Sequence, residues 1–426
     1  MKMQLVLIER CTPILKKIIP WRARAFLREA AWEHMVDRSI AAFVKKKTPY
    51  QAERYPKGVN LLGGIRAEMG LGQSCRLVAR ELEQSNFDFA VYNVDFNSDL
   101  RENDSSYDKY IVDKLPYGIN IFHVNPFELG RLFMSRPDLF DGHYNIAFWL
   151  WELEEFPAEW VKYCSLFDEI WTPSDFAGAG VKKKTNIPVK TVPYSVTAPW
   201  DKKIGRKDFG FPEDKFLYLV MYDANSTSGR KNPQGAIAAY KKAFPAENDK
   251  CGLVIKINNA KEQDLEALRK DLSDYHSIYF ITDILKKEQV NSLIKCVDVF
   301  VSLHRAEGFG LVMAEAMLLG TPVVATNWSS NTEFMSEDAC CMVPYKLIEN
   351  DHTEGLYRKG CIWADPDITA AAEYMYRLWS DPVYYKEKAE KGKSCVEERL
   401  NEEKILSRWN QLLRELNYNT EEHFNE

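Results

Sequence analysis

The chain has 426 residues, of which 46% are hydrophobic and 13% aromatic; this excludes a disordered protein and is enough for two domains of ordinary size. No apolar run approaches the roughly 18 to 20 residues of a membrane-spanning helix. Acidic Glu9 interrupts the short apolar start and no small-residue cleavage site follows, so a secretory signal is not expected. The nine cysteines form no CxxC pair and mostly lie in apolar surroundings, which indicates reduced thiols in the cytosol.

Positive charge is concentrated at the N-terminus. Residues 1–50 hold six Lys and five Arg against four acids, a net charge of +7 in a chain whose formal net charge is −6. Apolar and basic residues mix over 13–44, which predicts one or two amphipathic helices broken at Pro20. Two interpretations remain open: a peripheral helix on an anionic membrane, with Trp21 and Trp32 at the interface, or a helix packed on its own domain or in a dimer contact.

The next segment predicts a strand over 59–62, a glycine loop that contains Gly70 and Gly72, and a helix over 73–84. Strand, glycine loop and helix in this order are typical of a turn that approaches a phosphate. The loop is not a dinucleotide fingerprint, because Cys75 stands where the third glycine belongs. By itself, this glycine pair is a weak indication of function.

Apolar runs then alternate with helical spacers, which predicts a doubly wound parallel sheet. The predicted strands are 90–94, 119–124, 146–151, 169–172 and 189–192. His123 closes one of these runs, and sites in open α/β sheets gather at the carboxyl ends of strands. His123 is therefore either a site residue or a buried structural histidine.

A second domain is expected to open with a strand over 216–222, a Ser/Gly loop and a helix over 233–243. Arg230 and Lys231 lie just before this helix, where cations oppose the helix dipole, and this unfavourable placement favours a bound anion such as a diphosphate. A solvated cation pair is the alternative. Lys256, in a predicted strand over 253–257, is either an inward cation or a strand-edge one.

The most informative stretch is 302–335, which predicts strand, polar loop, helix over 311–319 and a second strand. Gly308 and Gly310 let the backbone approach a ligand closely, and the following helix offers unpaired N–H groups to a diphosphate. Glu307 and Glu315 flank this loop with seven residues between them. Carboxylates in such positions accept hydrogen bonds from the vicinal hydroxyls of a ribose or a hexose.

Glu307, GFGLVMA, Glu315 and the following GTPVVAT resemble the Glu-x7-Glu signature of retaining glycosyltransferases of glycosyltransferase family 4, a group 1 family with the GT-B fold. The resemblance covers roughly residues 58–416. It implies two Rossmann-like, doubly wound α/β domains facing across a cleft. It also implies a nucleotide-diphosphate sugar as substrate, with no cofactor and no donor-bound metal.

The resemblance implies roles for particular residues. Glu307 would lie against the donor sugar, Glu315 would hold the nucleotide ribose, and His123 would reach the donor sugar and the acceptor region. The remaining expected donor contacts are Gly308, Phe309, Gly310 and Leu311 through their amides, the cations Arg230, Lys231 and Lys256, and the loop glycines Gly70 and Gly72. Asn225 stands at the position where the family usually has an upstream arginine, which leaves the role of Arg230 open.

Two further features of the sequence each have a structural and a functional interpretation. The aromatic and acidic stretch 148–160 is expected to be mostly core, although Trp151, Glu152 and Glu155 are alternative linings of the acceptor mouth. Asp365 and Asp367 have the spacing of a metal-binding Asp-x-Asp, but they are interpreted as a turn and a helix N-cap.

The sequence therefore predicts a basic helical segment over 1–50, an acceptor domain over 51–197 completed by a helix at about 400–426, and a donor domain over 198–400. The expected reaction is transfer of a hexosyl or deoxyhexosyl unit, with retention, to a hydroxyl of a glycan or lipid-linked acceptor in surface polysaccharide or lipopolysaccharide synthesis. The alternatives are an epimerase-like enzyme and a non-catalytic nucleotide-sugar-binding protein. A cytoplasmic location, with peripheral contact to the inner face of the membrane, is expected, and no nucleic acid partner.

Overall fold

The computed structural model of the chain describes residues 21–85, 87–95, 101–226 and 228–422. It contains two six-stranded parallel sheets with helices between successive strands. The predicted class, two Rossmann-like doubly wound α/β domains, is confirmed. Residues 1–20 lie outside the described part, and so does the predicted helix break at Pro20.

The first sheet has the strand order β2-β1-β3-β4-β5-β6, and all of its pairs are parallel. Its apolar runs are buried on both faces, as expected for strands covered by helices on either side. The predicted run 146–151 is shorter as a strand, because the chain leaves the sheet after Phe148. The strands are β1 (Val59–Gly63), β2 (Phe89–Asn93), β3 (Ile119–His123), β4 (Tyr144–Phe148), β5 (Glu169–Thr172) and β6 (Val189–Thr191).

The second sheet has the order β12-β11-β10-β7-β8-β9 and is also parallel in all of its pairs. A separate antiparallel pair, β13 with β14, follows it in the chain and was not predicted. The strands are β7 (Phe216–Asp223), β8 (Cys251–Asn258), β9 (Ile278–Ile281), β10 (Val299–Ser302), β11 (Val323–Thr326), β12 (Cys341–Val343), β13 (Tyr345–Glu349) and β14 (Ile362–Pro366).

Helices cover both sheets. The helix predicted over 73–84 begins earlier, at Gly70, so both loop glycines lie in its first turn. In the described part of the chain the helices are α1 (Trp21–Val44), α2 (Gly70–Gln84), α3 (Pro126–Ser135), α4 (Asp175–Lys182), α5 (Ser228–Lys231), α6 (Pro233–Ala243), α7 (Glu262–Asp271), α8 (Lys287–Cys296), α9 (Leu311–Leu318), α10 (Ile368–Ser380), α11 (Pro382–Arg399) and α12 (Glu402–Glu422).

Helix α1 packs on the first domain through its second half. Val36 and Ile40 are buried there, and Lys162 forms ion pairs with Glu33 and Asp37 of α1. Near its start, Phe26 is exposed to 69%. Among the described helices, none is both long and apolar enough to cross a membrane. The packing interpretation therefore holds for the second half of α1, and membrane contact of the basic segment stays a prediction.

The last helix, α12, returns to the first domain. The indole of Trp409 donates to the carbonyl of Pro193 at 2.8 Å, and Glu402 accepts from the side chains of Arg80 and Gln84 on α2. Trp409 is fully buried. The chain therefore crosses between the domains a second time near residue 400.

The two domains also touch across the cleft. The carboxylate of Glu333 accepts from the backbone amides of Asp175 and Phe176 at the N-terminus of α4, at 3.1 and 2.8 Å. The hydroxyls of Ser174 and Ser330 are 2.8 Å apart. Because both sheets are parallel, the loops at the carboxyl ends of their strands meet along this cleft.

Candidate active site

The signature loop, residues 303–310, connects β10 to α9. Gly310 has φ 98° and forms the N-cap of α9, a left-handed conformation that disfavours a side chain. A Cβ at Gly310 would lie 2.8 Å from the Met313 methyl carbon and 3.1 Å from the Asn331 Cβ. The sequence therefore needs glycine here to turn the backbone into the first turn of α9.

Glu307 lies beside the two predicted cations. Its Oε2 is 2.5 Å from the Lys231 Nζ and 3.7 Å from the nearest guanidinium nitrogen of Arg230. Burial alone would raise the pKa of Glu307, but Lys231 and Arg230 outweigh it and lower this pKa to about 2. Burial lowers the pKa of Lys231, which Glu307 only partly offsets. Glu307 is thus an ionised counter-ion for two cations.

Arg230 is 8% exposed and is fixed by its neighbours. Its guanidinium donates to the carbonyl of Ala306 at 3.0 Å and lies over the Tyr357 ring, 5.9 Å from the centroid. Its Nε is buried and has no hydrogen-bond partner among the described residues. Asn225, by contrast, is exposed in a turn in which its amide bonds to Asp223. Arg230 therefore occupies the cluster as the second cation.

Glu315 is buried in α9, with 1% of its surface exposed. Its Oε1 is 2.5 Å from the Lys287 Nζ at the start of α8. Burial raises the pKa of Glu315, and Lys287 opposes the shift. Oε2 has no hydrogen-bond partner in the described part of the chain, so one acceptor of this carboxylate stays available to a ligand.

Phe309 and Leu311 are predicted to contact the donor through their backbone amides. The ring of Phe309 is buried between Tyr194 and Phe334, with centroids 4.6 and 5.6 Å away. Its side chain thus anchors the signature loop in the core. Leu311 is the first residue of α9. The amides of these residues remain the predicted donor contacts.

Lys256 lies apart from this cluster. It is buried on β8, and its Nζ donates to the Asn258 side chain at 2.5 Å. Burial lowers its pKa to about 8, partly offset by Asp223 and Asp283. Among the described residues, no contact joins Lys256 to Glu307. Lys256 is therefore an inward cation, one of the two predicted alternatives, and its part in donor binding stays a prediction.

His123 ends β3 and is 1% exposed. Its Nε2 is 2.9 Å from the hydroxyl of Ser74, which also donates to the Tyr194 hydroxyl at 3.3 Å. Its Nδ1 is buried without a partner among the described residues. Burial lowers the pKa of His123 to about 4, so the ring is neutral at pH 7. The ring can then act as a hydrogen-bonding group but not as a cation.

The pKa of His123 predicts a pH dependence of stability. An unfolded histidine takes up a proton near pH 6.5, whereas His123 does so only near pH 4, so acidification through this window favours the unfolded chain. The lost stability amounts to about 3 kcal/mol over the whole window. Urea denaturation at several pH values should show a flatter profile for His123→Gln than for wild type. The exposed His276→Gln should keep the wild-type profile, and a parallel His123→Gln profile would contradict this expectation.

Gly70 and Gly72 differ in their surroundings. A Cβ at Gly72 would lie 2.1 Å from the carbonyl oxygen of Ala67, whereas nothing lies within 4 Å of a Cβ at Gly70. We expect Gly72→Ala to destabilise the protein by about 1 to 3 kcal/mol, because the loop must move away from α2. Gly70→Ala should stay within about 0.5 kcal/mol of wild type. Denaturation midpoints measure both, and equal midpoints would contradict the steric argument.

The metal alternative at residues 365–367 has a structural explanation. Asp367 is the N-cap of α10 and accepts from the amides of Thr369 and Ala370, as predicted. Asp365 lies in β14 and pairs with Arg305 at 2.9 Å, which corrects the predicted turn. Within the described residues, no group of three or more His, Cys, Asp or Glu side chains is arranged to hold a metal ion.

Sequence reasoning missed two contributions to this site and left a third as one of several alternatives. Lys287 is the partner of Glu315, and Tyr357 lies over Arg230. Glu152 was considered only as one of several alternatives, and it lies beside the signature loop. A lysine at a helix start and a tyrosine in a loop carry no local pattern that indicates such contacts.

Known proteins are similar to this chain in sequence and in fold. Residues 201–394 match the family model of glycosyl transferases group 1. N-acetyl-alpha-D-glucosaminyl L-malate synthase of Bacillus anthracis is 26% identical over 204 residues, 48% of this chain and 46% of that protein. The O-antigen biosynthesis glycosyltransferase WclY of Escherichia coli is 32% identical over 122 residues, 29% of this chain and 31% of that protein. The aligned part is less than half the length of each curated relative.

Among solved structures, Anabaena HepE in complex with UDP and glucose is similar with a TM-score of 0.60 and 14% identity. The match covers 84% of this chain and 100% of that one, and it shows the fold. Two facing Rossmann-like domains of this kind have the GT-B fold. The similarity to the group 1 glycosyltransferases extends over residues 201–394.

Proposed function

We propose that the protein is a retaining glycosyltransferase that moves a hexosyl or deoxyhexosyl unit from a nucleotide-diphosphate sugar to an acceptor hydroxyl. The observation that carries this proposal is the pair of buried Arg230 and half-buried Lys231 beside Glu307, with no partner for the Arg230 Nε among the described residues. A buried cation pair needs anionic partners, and a diphosphate offers more charge and more acceptor oxygens than one carboxylate.

The nucleotide ribose is proposed to bind Glu315. One oxygen of this buried carboxylate pairs with Lys287 and the other has no partner in the described structure. A buried acceptor without a donor costs free energy, and the hydroxyls of a ribose supply donors. Binding of the nucleotide would therefore complete the hydrogen bonding of Glu315.

In the proposed reaction, the bond between the anomeric carbon and the diphosphate oxygen breaks, and the acceptor oxygen bonds to that carbon on the same face. The acceptor proton passes to the departing diphosphate. Arg230, Lys231 and the amides after Glu307 stabilise the negative charge that develops on the leaving group. Glu307 positions the donor sugar and stabilises positive charge at its anomeric carbon. We assign no covalent nucleophile, and no cofactor or donor-bound metal is proposed.

The acceptor is proposed to be a glycan or lipid-linked glycan in surface polysaccharide synthesis. The similarity to an O-antigen glycosyltransferase supports this class, and the net charge of +7 over residues 1–50 suits contact with an anionic membrane surface. UDP is the first nucleotide to test, because the structurally similar HepE is seen with UDP and glucose.

The experiment that tests this function is thermal stabilisation by UDP, GDP, dTDP and ADP, each with EDTA or magnesium. A ligand at 100 times its dissociation constant stabilises by about 2.7 kcal/mol, which shifts the unfolding midpoint measurably. We expect one diphosphate to stand out without magnesium. Release of that diphosphate from its sugar, with a product of retained anomeric configuration, would then establish transfer. Conversion of the nucleotide sugar itself would instead indicate an epimerase, and binding without turnover a non-catalytic protein.

A further inference from the structure

We propose that Glu152, on the first domain, binds a sugar hydroxyl in the transfer site from the side of the cleft opposite Glu307. This inference rests on the proposed function and adds a residue to its site. The hydroxyl belongs either to the transferred sugar or to the acceptor. Both present the same hydrogen-bond donor to a carboxylate.

The path of the chain brings Glu152 to the signature loop. The segment that leaves the carboxyl end of β4 crosses the cleft and reaches Gly308. A Cβ built on Gly308 would lie 3.5 Å from the Cγ of Glu152 and 3.7 Å from the Cβ of Leu150. The backbone that is predicted to contact the donor and the side chain of Glu152 are therefore neighbours.

Glu152 also faces both cations of the donor site. Burial opposes the charged form of Arg230, but Tyr357, Glu152 and Glu307 outweigh it and raise the pKa of Arg230. At Lys231, Glu152 contributes to the partial offset of burial. Glu152 from the first domain and Glu307 from the second thus both interact with the two cations. When a diphosphate neutralises these cations, both carboxylates are left next to the sugar end of the donor.

Tyr357 holds Glu152 in this position. Its ring stacks on Trp151 with centroids 5.7 Å apart and lies over the Arg230 guanidinium. Burial and the nearby carboxylate of Glu152 raise the pKa of Tyr357, so the phenol hydroxyl and this carboxylate are neighbours. A carboxylate has about four acceptor sites, which leaves acceptors for a sugar hydroxyl. Tyr357 therefore acts as a positioning residue for Glu152.

The test compares Glu152→Gln with the matched variant Glu155→Gln. Glu155 is in the same segment, but its side chain is 83% exposed and points to Lys184. The probes are UDP with UDP-glucose and GDP with GDP-mannose, whose affinities are measured by calorimetry. Sugar release to water is followed separately, with water in the place of the acceptor.

If Glu152 binds the transferred sugar, Glu152→Gln keeps the affinity for the free diphosphate and weakens that for the nucleotide sugar by roughly 10- to 150-fold. If it binds the acceptor, both affinities stay at wild-type values and sugar release slows by a similar factor. Either result supports the inference. Glu155→Gln should match wild type in every measurement.

Two results would overturn the inference while leaving the proposed function intact. In the first, Glu152→Gln equals Glu155→Gln throughout. In the second, the affinity for the free diphosphate falls as much as that for the nucleotide sugar. A folded wild-type protein that binds neither diphosphate would overturn both proposals.

Discussion

Replacing Glu307 with alanine is expected to lower turnover by about 100- to 1000-fold while diphosphate binding persists. Removing one charged transition-state contact costs about 2.7 to 4 kcal/mol in comparable cases. Glu307 is ionised at neutral pH and lies against Lys231, so its loss removes charge next to the reacting sugar. The two cations lose their internal counter-ion, which leaves them open to the diphosphate. Steady-state turnover of the nucleotide sugar and calorimetric affinity for its diphosphate measure the two effects.

The controls separate chemistry from folding. Glu307→Gln keeps the shape of the side chain and should lose turnover as well, because the charge is absent. Glu155→Ala removes an exposed carboxylate and should behave as wild type. Circular dichroism with thermal unfolding confirms that each variant is folded. Normal turnover in a folded Glu307→Ala protein would contradict the catalytic role.

Replacing Lys231 with alanine is expected to remove about half or more of the thermal stabilisation given by the selected diphosphate. A hydrogen bond to a charged group contributes about 1.5 to 3 kcal/mol, so its loss weakens binding roughly 10- to 150-fold. At a concentration 100 times the wild-type dissociation constant, the stabilisation of about 2.7 kcal/mol then falls to roughly 0.3 to 1.4 kcal/mol. Unfolding midpoints with and without the diphosphate measure the loss.

Lys241→Ala is the matched control for this experiment. Lys241 lies in the next helix, α6, and pairs with Asp271 at the surface, 2.9 Å away. This variant should keep the full ligand-induced shift, even if its own midpoint changes slightly. A Lys231→Ala protein with the wild-type shift would place the diphosphate elsewhere and remove the main support for the proposed donor site.

The local patterns of the sequence predicted the scaffold well. The strand over 169–172 and the helix over 233–243 have the predicted bounds, because flanking polar and proline residues mark their ends. The strand after Gly320 was also predicted, since a glycine and a proline separate it from α9. Errors occurred at element ends, such as the start of α2 at Gly70, where the turn residues are themselves helical, and in the antiparallel pair of β13 and β14, which was not predicted.

The candidate site was predicted only in part. Glu307, Arg230 and Lys231 are neighbours in space although 76 residues separate Lys231 from Glu307, and the parallel sheet explains this, because both loops follow adjacent strands β7 and β10. Lys256 lies within the next strand along the sheet, β8, and its side chain bonds to Asn258 rather than to the cluster. Successive side chains of a strand point to opposite faces of the sheet, and packing decides which partner each side chain contacts.

The sequence by itself determined the two parallel sheets and placed Glu307, Arg230 and Lys231 in loops that follow strands, because these features depend on periodicity and on the turn residues at strand ends. Tertiary structure alone decided which groups complete the cluster. Lys287 reaches Glu315 from another helix, and Tyr357 and Glu152 meet across the cleft from two domains. Such contacts join segments that are far apart in the chain. Burial and charge at the contact stabilise them, and no local sequence pattern specifies where the segments meet.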